Sequence, residues 1–169
     1  MNMQEVLQGA LALNGDDKKY VVSIEGNQII TTVKWMDAVF FAPGSVTDEV
    51  KEFKFIARVN ENGTWLEIDE SKSVKKSAGM GGLSMNYSSF KGKEISFNKT
   101  IGIGKNREDG SVGVIKIEFN SEEYKKPVSE YLAKCGYKKS NKGGTAYTVK
   151  YAEERGKAVL NVWDLISKS

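Results

Sequence analysis

The sequence predicts an α+β fold that is mainly antiparallel β: a meander of about six or seven strands, an N-terminal helix, a helix near 121–135, and a C-terminal hairpin or helix. Three observations carry this. β-Branched and aromatic residues alternate with polar ones over several stretches, which is the period of a strand with one buried face. Clusters rich in Gly and Asn punctuate those stretches at Glu25-Gly26-Asn27, Pro43-Gly44-Ser45, Asn60–Gly63 and Asn106–Gly110. Helical spacing is confined to the two ends of the meander and to one reading of the tail.

Met3, Val6, Leu7, Ala10 and Leu11 recur three and four residues apart, predicting a short amphipathic helix with Gly15 as its C′ residue. Its polar face lacks the Lys and Arg of a membrane-surface helix, so docking on the core or on a second subunit is the expected use. KYVVSI and QIITTVKWMDAVFF then pair across Gly26-Asn27. SVTDE reads as a polar turn, after which EFKFIARV puts Phe53, Phe55, Ala57 and Val59 on one face. NENG reverses the chain, and TWLEID returns. Residues 71–93 read as a Gly-, Ser- and Lys-rich connection, with Leu83–Phe90 a modest strand inside it.

KEISFNKTIGIGK and SVGVIKIEF form a further hairpin across NREDG, with a bulge predicted near Gly113, where the alternation slips. SEEYKKPVSEYLAKCGYKK predicts a helix with Ser121 as N-cap, acids in its first turn and a Gly136–Tyr137 ending. Pro127 either kinks that helix or marks its true beginning. Beyond SNKGG, TAYTVKY and KAVLNVW suit a hairpin, while Val159, Val162, Trp163 and Ile166 also fit a helix. Residues 1–139 are therefore expected to form one β-rich domain with flanking helices, and 140–169 an appendage packed on it. In element order alone, a meander closed by a C-terminal helix resembles pleckstrin-homology-like barrels. An open twisted sheet on one or two helices satisfies the same order.

Composition narrows the chemistry. The 169 residues hold 40% hydrophobic and 28% charged side chains, as a folded globular chain does. There is no histidine, and Cys135 is the single cysteine. Histidine-based triads, zinc sites built on histidine or several cysteines, and intrachain disulfides are all excluded. With no leader-like N-terminus, this fits a reducing, cytoplasmic setting. No apolar run reaches the roughly 18 residues that a spanning helix needs. No metal or cofactor is implied.

The glycine motifs are incomplete. Gly79, Gly81 and Gly82 are not followed by the Gly-Lys-Ser/Thr of a P-loop, and Gly102-Ile-Gly104 has Arg107 where a dinucleotide loop needs its third glycine. Cys135 falls in the last helical turn on the apolar face, where the helix dipole disfavours a thiolate. Asp37 is a candidate acid or base: alternation aligns it with Trp35, Val39 and Phe41, and burial there would raise its pKa. An ion pair with a lysine is the plainer alternative, and one carboxylate makes no mechanism.

Charge is uneven around a net +3. Residues 71–105 carry seven lysines against Glu94, and residues 134–169 carry eight basic residues against three acids. Lys75, Lys76, Lys91, Lys93, Lys138, Lys139 and Lys142 are the candidate anion-binding set. The leading expectation is a non-catalytic binding module whose basic loops meet an acidic protein, lipid headgroups or another polyanion. The alternatives are a carboxylate enzyme with a glycine-rich lid over Asp37, a single-strand nucleic-acid binder using the basic, Tyr-rich tail, and a homodimer built on strand edges or the first helix.

Overall fold

A computed structural model describes residues 2–92 and 97–140. Helix α1, Met3–Gly9, begins at a reciprocal capping box: Asn2 Oδ1 accepts from the Glu5 N–H at 2.8 Å, and Glu5 Oε2 accepts from the Asn2 N–H at 2.9 Å. It tightens into a 3₁₀ turn, Ala10–Leu13, which ends on an extended Asn14 and not on a left-handed Gly15. Val6, Leu7 and Ala10 are fully buried, so core docking is the use of this helix.

The strands are β1 Val21–Glu25, β2 Gln28–Ala42, β3 Ser45–Val59, β4 Thr64–Gly79, β5 Gly82–Gly92, β6 Phe97–Asn106 and β7 Val112–Asn120. Helix α2, Ser121–Lys134, follows, and a two-residue β8, Lys138–Lys139, adds parallel to the start of β4. These eight strands form one sheet in the order β5-β4-β3-β2-β6-β7, with every main-path pairing antiparallel. One edge of β2 is shared. β1 occupies it over Gln28–Thr32, and β6 takes it over Ala38–Phe40. The sheet is open and not closed into a barrel, so the open alternative describes this chain.

Three corrections follow from the register. SVTDE is not a turn: β2 and β3 are each fifteen residues long and join directly through Pro43-Gly44, with Gly44 at φ 74°. Residues 71–92 are not a connection: they continue β4 and return as β5 through Met80-Gly81. The bulge is at Trp35 and not near Gly113, where the ladder runs unbroken from Lys105–Val112 to Phe97–Asn120.

That bulge matters because it reverses side-chain parity. Val33 opposes Phe53 and Lys34 opposes Glu52, but Met36 opposes Lys51, so Trp35 is the extra residue. Beyond it Met36 and Ala38 turn inward and are fully buried, while Asp37, Val39 and Phe41 move to the outer face. Trp35 packs at the junction, stacked on Phe119 with ring centroids 4.7 Å apart.

α1 and α2 cover the inner face of the sheet. Val6, Leu7, Val128 and Leu132 meet Ile29, Val33, Phe53, Phe55, Ala57 and Val59 in the main core, joined by Trp65 and Phe119. A second cluster, Met36, Ala38, Ile115 and Ile117, extends the core under β6 and β7. The N-cap of α2 is Asn120, not Ser121: its side chain accepts from the Glu122 N–H at 3.1 Å. Its C-terminus is the expected glycine cap, with Gly136 at φ 85° and the Tyr137 N–H donating to Leu132 O at 2.9 Å. Pro127 lies inside the helix, removing the N–H that Glu123 O would accept. Cys135 packs against the core as a small apolar side chain.

The Gly-Ile-Gly motif has a packing explanation. β6 passes so close to β2 that a Cβ on Gly104 would strike the Val39 carbonyl, and one on Gly102 would lie 2.7 Å from the Phe40 ring. Close approach of the Val39 carbonyl to Gly104 and of the Phe40 ring to Gly102 accounts for both glycines.

Candidate interaction surface

The candidate lysines do not converge. Lys138 and Lys139 pair with Thr64 and Trp65 at the start of β4, whereas Lys75 and Lys76 lie near its far end. Eleven residues of strand separate Trp65 from Lys76, about 36 Å at roughly 3.3 Å per residue. Lys139 is also committed: it bonds to Glu67 and lies over the Trp65 ring, 5.5 Å from its centroid. Tyr137 packs against the core. Lys91 pairs with Glu70 at 2.5 Å. Lys93 and Lys142, like the C-terminal hairpin or helix, fall outside the described residues.

Lys138 is exposed and forms no ion pair among the described residues; Lys75 and Lys76 also remain, on opposite faces of β4. Their cross-strand neighbours on β3, Glu49 and Asp48, are engaged elsewhere: Glu49 pairs with Lys51 at 3.0 Å, and Asp48 with Arg107. Among the described residues neither lysine forms an ion pair, nor do Lys72 and Lys105.

Asp37 sits in an ion-pair cluster. Lys34 Nζ is 2.7 Å from its Oδ2 and Arg107 is 3.1 Å from its Oδ1, while Arg107 also forks onto both oxygens of Asp48 at 2.8 Å. The hydrogen bond from Lys34, with Arg107 behind it, holds the Asp37 carboxyl below its ordinary range despite partial burial. A pKa displaced in that direction suits a permanent ion pair and opposes proton transfer near neutrality. The glycine-rich segment expected to close over Asp37 is the β4–β5 hairpin.

A second charged cluster was not foreseen from the sequence. Lys125 of α2, almost fully buried, reaches Asp69 at 2.6 Å and Glu67 at 3.0 Å on β4, and its Nζ lies 5.9 Å from the Phe53 centroid. Burial opposes charge on both Lys125 and Glu67. The facing hydrogen bonds overcome it, raising the lysine pKa and lowering that of Glu67. The helix period places Lys125 between the apolar positions Tyr124 and Val128, and only the β4 carboxylates explain a lysine there.

A cleft of about 560 Å³ opens between the Trp35 bulge, the 106–109 turn and Tyr124. Two of its three lysines are matched, Lys34 with Asp37 and Lys116 with Glu118 at 2.8 Å, while Lys19 forms no ion pair among the described residues. Among the described residues no group of three or more His, Cys, Asp or Glu side chains could hold a metal ion.

The outer face differs in kind. Register aligns Leu83, Ala78, Val46 and Phe41 across β5, β4, β3 and β2. Ile103, adjacent to the Phe40–Gly104 pair, and its partner Val114 carry the row onto β6 and β7. All six side chains are exposed. A groove of about 380 Å³ runs along the row between Val46, Ala78, Leu83 and Met85, with Asp48 and Lys76 at its side. A contiguous exposed apolar strip of this kind is unusual for a surface that meets only water. Comparison with protein-family models, with curated proteins and with solved structures finds no match.

Proposed function

We infer that this protein is a non-catalytic binding module that meets an anionic partner with the outer face of its long β2–β5 hairpins. The observation that carries the reading is the apolar row on that face, flanked by Lys72, Lys76 and Lys105, which no described acid neutralises. Apolar contact gives such a partner affinity, and the lysines select its sign. The reading departs from two basic loops acting together: Lys138 and Lys139 lie about 36 Å away along β4, by roughly 3.3 Å per residue, and Lys139 serves Glu67 and Trp65.

The carboxylate-enzyme reading has less support, because Asp37 is held ionised between Lys34 and Arg107. So has the nucleic-acid reading, because Tyr137 and Lys139 are used internally. The test is retention on immobilised heparin. The native chain is expected to elute above physiological salt, and the Lys72→Gln/Lys76→Gln/Lys105→Gln variant well below it. Equal elution of the two, or no retention of either, refutes the assignment of this face.

A further inference from the structure

Two hairpin tips lie side by side at one end of the sheet. Ser45 at the start of β3 opposes Gly79 at the end of β4, and the Met80 N–H donates to Gly44 O at 3.3 Å. Both tips are free of charge: no Asp, Glu, Lys or Arg occurs in residues 39–47 or 77–90. Their ends present Phe41, Pro43, Met80 and Leu83 to solvent, Met80 at 99% and Leu83 at 90% exposure.

Immediately behind this apolar end the charge changes. Lys76 and Lys75 lie three and four residues before Gly79, about 10–13 Å from the tip at roughly 3.3 Å per residue. Successive strand residues point to opposite faces, so the two lysines flank the hairpin on both sides. Lys51 and Arg107 stand on the neighbouring elements at the same level. The acids there, Asp48 and Glu49, are bonded to those two cations, and Asp37 is shared by Lys34 and Arg107.

We propose that the paired tips insert into the surface of an anionic lipid bilayer, with Met80, Leu83 and Phe41 in the acyl boundary and Lys75 and Lys76 at the headgroups. This rests on the anion-binding reading above and names its partner. The spacing supports it: an interfacial segment buries its apolar side chains about 5–10 Å below the headgroups, close to the distance from tip to lysines. The charge supports it as well, since each lysine near an anionic leaflet strengthens binding about fivefold. An acidic protein would find cations on this end but nothing to account for Met80 and Leu83, uncharged and almost wholly exposed beside the β2–β3 turn.

The experiment is co-sedimentation of the full chain with phosphatidylcholine vesicles, with and without phosphatidylserine, run beside heparin retention. Binding is expected only with phosphatidylserine. Lys75→Gln/Lys76→Gln should weaken it about 30-fold, at about fivefold per lysine. Met80→Ser/Leu83→Ser should weaken it about tenfold or more per side chain. Both pairs are exposed, so melting temperatures should stay at the native value. As an independent readout, Met80→Trp should show tryptophan emission at shorter wavelength on phosphatidylserine vesicles. No vesicle binding by a chain that heparin retains overturns the lipid assignment and leaves the anion reading standing. Absence of both overturns both. Vesicle binding indifferent to Met80→Ser/Leu83→Ser, an unshifted Met80→Trp emission, or self-association abolished by that serine pair would each overturn insertion.

Discussion

Lys125→Met is expected to be among the most damaging single changes in this protein. The native lysine side chain is 4% exposed and touches two carboxylates, one of which, Asp69, is completely buried. Methionine keeps the length and apolar contacts of the stem, including those beside Phe53, and removes only the charge. Glu67 retains Lys139 as a partner, so Asp69 bears most of the loss. Removing one member of a buried pair costs about 3–5 kcal/mol, because the other charge stays buried and uncompensated. Against a total of about 5–15 kcal/mol for a domain, that is roughly a fifth or more of its stability. Urea unfolding is the assay: at a slope of about 1–3 kcal/mol per molar, the midpoint should fall by roughly 2 M. Acid should narrow the difference. Glu67 has a folded pKa below its ordinary 4.5, so its contribution is present above that value and is lost as pH falls through the folded pKa. Protonation also neutralises the carboxylates that lose Lys125 as a partner. A loss below about 1 kcal/mol at neutral pH, or a difference that grows on acidification, would refute the argument that Lys125 holds these carboxylates in place.

Other expectations can be checked alongside it. The Asp37 carboxyl should titrate below 3.8 by NMR, so that its stabilising contribution is complete above that pH and lost below the folded value; titration above 3.8 would mean that Lys34 and Arg107 do not engage it in solution. Asp37→Asn should cost less than about 1 kcal/mol in thermal unfolding, because both of its cations are solvent-exposed. Gly104→Ala should cost about 1–3 kcal/mol by forcing β6 away from the Val39 carbonyl, whereas Gly81→Ala, with open space around it, should change the melting temperature little. Trp35→Ala should lower stability by about 3–5 kcal/mol through loss of the Phe119 stack at the bulge.

Much of the architecture was legible because it is written in local periods. The first hairpin, the Asn60–Gly63 reversal, the Asn106–Gly110 reversal and α2 with its glycine ending all follow from alternation, helical spacing and turn chemistry. The hairpin at 71–92 was hidden in its first half, where serine, lysine and glycine leave no apolar alternation, while its second strand was partly legible from Leu83, Met85 and Tyr87 in alternate positions. Its pairing comes from β4, which presents a preformed edge. The parity of Asp37 was hidden for another reason. One unpaired residue, Trp35, exchanges inside for outside along the rest of β2, and that extra residue is accommodated through its stack on Phe119, far away in sequence.

By itself, then, the sequence determined the fold class, the absence of histidine and of a second cysteine, and the charge-free runs at 39–47 and 77–90, since these depend on residue identity and near neighbours. Only the tertiary structure decided which charges meet. Lys125 with Asp69, Arg107 with Asp37 and Asp48, and Lys139 with Glu67 are partners tens of residues apart, brought together by sheet order and register. The same register sets Lys139 against Glu67 at the start of β4 and leaves Lys75 and Lys76, near its end, without an ion pair among the described residues. Electrostatic attraction falls off with distance in space, and separation along the chain says little about it.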